Sequence, residues 1–129
     1  VTITTVLIVD DNSDSRDILS AGFTAMGYHA YTAAHGLEAL RVLRTSDTPQ
    51  AIILDIHMPV MDGFQLITEL YLNEATRHIP IVAITGRHDA EQVSELPGVQ
   101  RAFCKGRFTV RELIQTVAEL APQGTPRAS

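Results

Sequence analysis

TTVLIVDDNSDSRDILSAGFTAMG, residues 4–27, changes its period halfway along. TTVLIV is an apolar, β-branched run without alternation, the pattern of a parallel strand covered on both faces. It stops at two adjacent carboxylates, Asp10 and Asp11. Asn12, Ser13 and Asp14 then offer side chains that cap a helix N-terminus. Ile18, Leu19, Gly22, Phe23 and Met26 follow at helical spacing, and Gly27 ends the helix. The stretch is a strand–helix unit with a pair of charges at its junction.

The same unit recurs on either side of residue 50. HAYTAA (29–34) is a weaker strand, and GLEALRVLR (36–44) is a helix with Leu37, Leu40, Val42 and Leu43 on roughly one face. AIILDI (51–56) is a third strand, followed by the helix GFQLITELYL (63–72), whose apolar stripe is Phe64, Ile67, Leu70 and Tyr71. IPIVAIT (79–85) is a fourth strand, and HDAEQVSEL (88–96) a short, poorly amphipathic helix. RAFC (101–104) is a fifth strand, and FTVRELIQTVAEL (108–120) a helix with Thr109 as cap and Glu112 completing a capping box. PQGTPRAS (122–129) reads as a tail or the start of a linker after a domain spanning residues 1–121.

Five strand–helix units in succession imply an α/β class: a single doubly wound (βα)5 domain, its parallel sheet covered by helices on both faces. Strands one, three and four are the most continuously apolar and belong in the centre. Strands two and five carry more polar residues and suit edges. With right-handed crossovers the order is 2-1-3-4-5. Ligands in such sheets sit at the carboxyl ends of the strands, at the switch point between strands one and three.

The totals agree with one globular domain: 129 residues, 45% hydrophobic and 19% charged. The net charge of −5 argues against a direct nucleic-acid surface, although Arg101, Lys105, Arg107 and Arg111 lie close together. Cys104 is the lone cysteine, so no internal disulfide forms and a reducing, cytoplasmic setting fits. By its size and apolarity Cys104 reads as a small buried hydrophobe. No stretch has the length of a membrane span, and the N-terminus has no signal core. His29, His35, His78 and His88 read as surface residues.

On this sheet five polar residues converge. Asp10 and Asp11 end strand one, Asp55 strand three and Thr85 strand four, while Lys105 follows strand five. Taken singly each has a plain reading: an N-cap cluster, a loop-capping acid, a turn residue, a solvated lysine. Taken together they make a cleft of three carboxylates that requires a cation. All-oxygen donors select a hard one, Mg2+ before Zn2+. A lysine and a hydroxyl beside such a centre suit a phosphoryl group, and a carboxylate can then be the nucleophile. Asp55, alone at the end of the apolar run ILD, is best placed for that attack.

VLIVDDN, ILDIHMPVMDG, AITG and FCKGRF resemble the motifs of the receiver domain of two-component response regulators, in order and over about residues 5–121. The resemblance implies a flavodoxin-like fold. It also implies phosphoryl transfer from a histidine kinase or phosphotransfer protein onto Asp55 with Mg2+. Asp11 and Asp55 resemble direct metal ligands, with the backbone carbonyl of His57 as a third, and Asp10 resembles the acid that holds the metal through water. Thr85 and Lys105 resemble the pair that contacts the phosphoryl oxygens. Met58-Pro59 and Asp62-Gly63 resemble the loop after the acceptor strand, with Gly63 at a tight turn. An output partner or a second copy would use the face made by helix four, strand five and helix five, leaving no direct role for nucleic acid or membrane.

Two positions depart from the family pattern. Gly106 stands where the family has proline after the lysine. A cis bond before a non-proline residue costs about 2.5–4 kcal/mol, so Lys105–Gly106 is expected to be trans. Ala102 stands where the family often has a switching aromatic. The aromatic here is Phe103, which strand alternation sends to the opposite face. Output is then expected to depend on backbone movement around Thr85 rather than on a ring flip. His57 and Arg87, two positions past Asp55 and Thr85, are expected to tune the phosphoryl lifetime. The competing readings are a phosphatase with an aspartate nucleophile, a flavin-binding electron carrier, and a receiver-like module that is not phosphorylated. The first would place an acid at His57, and the second a hydroxyl-rich loop where Asp-Asp-Asn-Ser-Asp stands. Gly106 favours the third and the acidic set opposes it. The chain reads as a stand-alone regulator, a relay shuttle or a receiver cut from a larger protein.

Overall fold

The computed structural model describes residues 4–58, 61–86 and 89–124, with side chains described as far as Leu120. Strands and helices alternate as β1 (Thr5–Val9), α1 (Ser13–Ala25), β2 (His29–Ala33), α2 (Gly36–Thr45) and β3 (Ala51–Asp55). They continue as α3 (Gly63–Leu72), β4 (Ile81–Thr85), α4 (Ala90–Val93), β5 (Val99–Cys104) and α5 (Val110–Gly124). All the strand pairs are parallel, in the order β2-β1-β3-β4-β5. The α/β class and the strand order expected from the sequence are those observed.

Every residue of β1, β3 and β4 is buried, because alternate side chains feed two separate cores. Leu7, Val9, Ile52 and Leu54 meet Leu66, Ile67 and Leu70 of α3 on one face. Val6, Ile8, Ile53 and Val82 meet Leu19 and Phe23 of α1 and Leu113 and Val117 of α5 on the other. Burying a large aliphatic side chain stabilises the fold by roughly 1.5–3 kcal/mol before conformational entropy is subtracted. These two cores therefore fix the register that lines up the strand ends.

Local signals set the helix starts. Asn12 accepts from the Ser15 amide at 2.9 Å and caps α1. Asp62 and Gln65 form a reciprocal capping box on α3. Thr109 and Glu112 form the expected one at the head of α5. α5 runs past residue 120 to Gly124.

Several side chains differ from their sequence assignment. On α3, Phe64 and Tyr71 are exposed, and Gly63, Leu66, Ile67 and Leu70 form the buried face. Gly63 presses directly on the acceptor-strand loop: a Cβ there would lie 2.6 Å from the Ile56 Cα. Its amide donates to the Ile56 carbonyl at 2.7 Å, so this glycine serves close approach and not an unusual turn angle. That contact seats the start of α3 against Ile56. On α1 and α2, Ile18, Met26 and Leu37 are exposed, and Leu19, Phe23 and Ala39 take the buried positions.

α4 is one turn long, shorter than the expected 88–96; His88 lies outside the described residues. Pro97 disfavours helix at Leu96, and the chain tightens into three-residue bonds from Glu95 to Gln92 and from Leu96 to Val93. β5 begins at Val99, two residues earlier than expected, because one extra residue is inserted opposite Ile81 and Val82. Cys104 is half-buried: it ends an edge strand whose helical cover is a single turn.

Candidate phosphoacceptor cleft

β1, β3 and β4 end together, and their last residues meet at the carboxyl edge of the sheet. Asp10 follows β1 and is buried; its carboxylate accepts from the Asn12 amide at 2.9 Å. The guanidinium of Arg16 donates to its carbonyl at 2.7 Å, tying the first turn of α1 to the strand end. Asp11 projects into solvent. Asp55 closes β3 and is 2% exposed. Its Oδ1 accepts from the His57 amide at 3.2 Å and lies 3.3 Å from the Lys105 ammonium. One oxygen from each of Asp10, Asp11 and Asp55 lies within 4.8 Å of the others.

Burial pushes the Asp55 carboxyl up to about 6, helped by the nearby Asp10 charge and opposed by Lys105 and the His57 amide. Three carboxylates against one half-exposed ammonium leave the cleft short of positive charge. The donor set is all oxygen, which fits a hard divalent cation. Asp10, Asp11 and Asp55 would hold such an ion, which would offset their mutual repulsion.

Thr85 is fully buried at the end of β4, and its carbonyl accepts from the Lys105 amide at 2.9 Å. This bond holds the lysine at the site although the residue after it is glycine. Gly106 has φ of 78°, which proline cannot adopt, and among the described residues no peptide bond is cis. Phe103 packs with Phe108 and Leu113 on the α1–α5 face, while Ala102 packs on the other, so the two are divided as strand alternation requires.

Asp10, Asp55 and Lys105 line a cleft of about 570 Å3 that also takes in Ser15, Ile18 and Phe108. Asp10, Asp11, Asp55, Thr85, His57 and Lys105 all come together here; Arg87 and Pro59 lie outside the described residues. Asp89 is a neighbour that sequence reasoning missed. Its carboxylate lies 2.9 Å from His57 Nε2, and the same nitrogen lies 3.4 Å from Thr85 Oγ1. Nothing in the aperiodic stretch around it marks Asp89. His35 is a second omission: its ring accepts from the Glu38 amide at the head of α2.

The model of the response regulator receiver domain matches residues 6–117. The chain belongs to this family. It is a receiver domain of two-component signal transduction. The receiver is 31% identical to sporulation initiation phosphotransferase F of Bacillus subtilis, over 91% of this chain and 93% of that one. It is 35% identical to the transcriptional regulatory protein PrrA of Mycobacterium tuberculosis over 89% of its own length. It spans about half of PrrA, 48%. Among solved structures, the chemotaxis response regulator CheY4 of Vibrio cholerae superposes with a TM-score of 0.82 at 30% identity, covering 92% of this receiver and 99% of CheY4. The receiver domain of a signal transduction histidine kinase from Syntrophus aciditrophicus gives 0.84 at 28% identity, over 98% and 95%. Among the described residues no helix is long and apolar enough to cross a membrane.

Proposed function

We propose that this receiver accepts a phosphoryl group on Asp55 from a phosphohistidine of a histidine kinase or phosphotransfer protein. The observation that carries the reading is a buried carboxylate at the strand edge, facing two further carboxylates and one lysine. An Asp55 oxygen attacks phosphorus, the phosphorus–nitrogen bond breaks, and the departing imidazole keeps the electron pair and takes a proton from solvent. Asp10, Asp11, Asp55 and the His57 carbonyl would hold Mg2+, with Asp10 acting through water. The ion would neutralise phosphoryl oxygens and lower their repulsion of the attacking carboxylate. Lys105 supplies a point charge to the phosphoryl oxygens and Thr85 a hydroxyl donor. Breaking the Lys105–Asp55 contact frees the ammonium for that task.

His57 and Arg87 then set the lifetime of the acyl phosphate. The phosphorylated form binds an output partner, or a second copy, through the face of α4, β5 and α5, in a cytoplasmic setting. With Ala102 at the position of the family's aromatic and Phe103 committed to the other core, the signal travels through the backbone around Thr85, to which the Lys105 amide is bonded. The test is intact mass after incubation with Mg2+ and a small-molecule phosphodonor, with Asp55→Asn alongside. One added phosphate on the native chain, absent from the variant and after chelation, is expected. An adduct of equal amount on Asp55→Asn overturns the assignment.

A further inference from the structure

Asp89 precedes α4 in the N-cap position, yet its side chain makes no capping bond to that helix. An N-cap aspartate ordinarily uses its carboxylate on the amides of the first turn. Here it reaches 32 positions back in sequence to His57 Nε2 at 2.9 Å. Both side chains are about half exposed, so the pair adds little to stability. Its geometric effect is larger, because Thr85 Oγ1 also lies 3.4 Å from that nitrogen. An ionised carboxylate only accepts hydrogen bonds. Nε2 must therefore carry the hydrogen, and a protonated Nε2 cannot accept the Thr85 hydroxyl. The hydroxyl proton is then not spent on the ring.

We propose that Asp89 is a positioning residue: it fixes the His57 ring as the Nε2–H form and thereby keeps the Thr85 hydroxyl available to the phosphoryl group. This rests on the acceptor role proposed for Asp55. Without Asp89 the ring is free to carry its hydrogen on Nδ1, and Nε2 becomes an acceptor for the threonine. Thr85 then spends its proton on His57, and the incoming phosphoryl group loses a donor. Asp89 acts through His57, so removing the histidine as well removes the competitor.

The experiment measures phosphorylation rates with Mg2+ and a small-molecule phosphodonor at one pH common to all variants. Native protein is compared with Asp89→Ala, Asp89→Asn, His57→Ala and the double variant. Ring 15N–1H spectra of His57 are recorded on native protein and Asp89→Ala. Asp89→Ala is expected to slow transfer by about fivefold, the size of one competing hydrogen bond. Asp89→Asn, whose amide oxygen still accepts from Nε2–H, is expected to keep most of the rate. The double variant is expected to match His57→Ala, and the ring hydrogen to move from Nε2 to Nδ1 in Asp89→Ala. A double variant as slow relative to His57→Ala as Asp89→Ala is to native overturns the proposal, because Asp89 then acts without His57. A native ring with its hydrogen on Nδ1 overturns it as well. A native protein that takes phosphate, from the small donor or from a phosphohistidine protein, on a residue other than Asp55 while its ring is Nε2–H refutes the acceptor role and leaves the ring assignment standing.

Discussion

Replacing Asp55 with asparagine keeps the size of the side chain and removes a buried charge. The folded carboxyl is held at about 6 against 3.8 for an unhindered aspartate. Between those values the folded chain binds more protons than the unfolded one, so stability falls as pH rises through the window. Well below pH 3.8 the carboxyl is protonated in both states and the difference vanishes; at pH 4 only a small part of it is present. Above pH 6 the native chain carries the whole cost, about two pH units or roughly 3 kcal/mol. Asp55 is 2% exposed, so solvent screening does not reduce this much. The assay is urea unfolding in chelator at pH 4 and at pH 7.5, native and Asp55→Asn side by side. Titrating groups outside the cleft are common to both proteins and cancel in the difference. The variant is expected to gain about 2–3 kcal/mol on the native protein between the two pH values. An unchanged gap would refute the argument that burial without a full counter-charge strains this site.

Magnesium should offset about half of that deficit at pH 7.5: at ten times its Kd it should raise native stability by about 1.4 kcal/mol and leave Asp55→Asn much less affected, as read by urea melts with and without the ion. Gly63→Ala should cost about 2 kcal/mol or more in the same melts, because the new methyl meets the Ile56 Cα at 2.6 Å and backbone has nowhere to retreat. Gly106→Ala has open space around its methyl but a φ of 78°, so it should cost only about 1 kcal/mol. Because the Lys105 amide is tied to Thr85, that variant should also keep its phosphorylation rate within a few-fold.

The fold was legible because its central strands carry no alternation. VLIV and IILD, alternating with helical segments, fit the doubly covered strands of a parallel sheet, and that topology brings Asp10 and Asp55 to one edge. The acidic cluster follows from strand order, without knowledge of any side-chain contact. Helix faces were less legible, because α3 offers two overlapping apolar stripes. The buried stripe is Leu66–Leu70, and Gly63, having no Cβ, lets the start of that face lie against Ile56. A pattern of apolar residues cannot register a contact made by a missing atom. Asp89 was illegible for a related reason. Its partner is 32 positions away, and its place before a single polar turn predicts a cap that the carboxylate does not form. Side chains dictated by period and burial can be read along the chain. Those whose role is a long-range polar contact at the strand ends become visible only when the sheet has placed them, and at this site that group includes the residue bonded to His57.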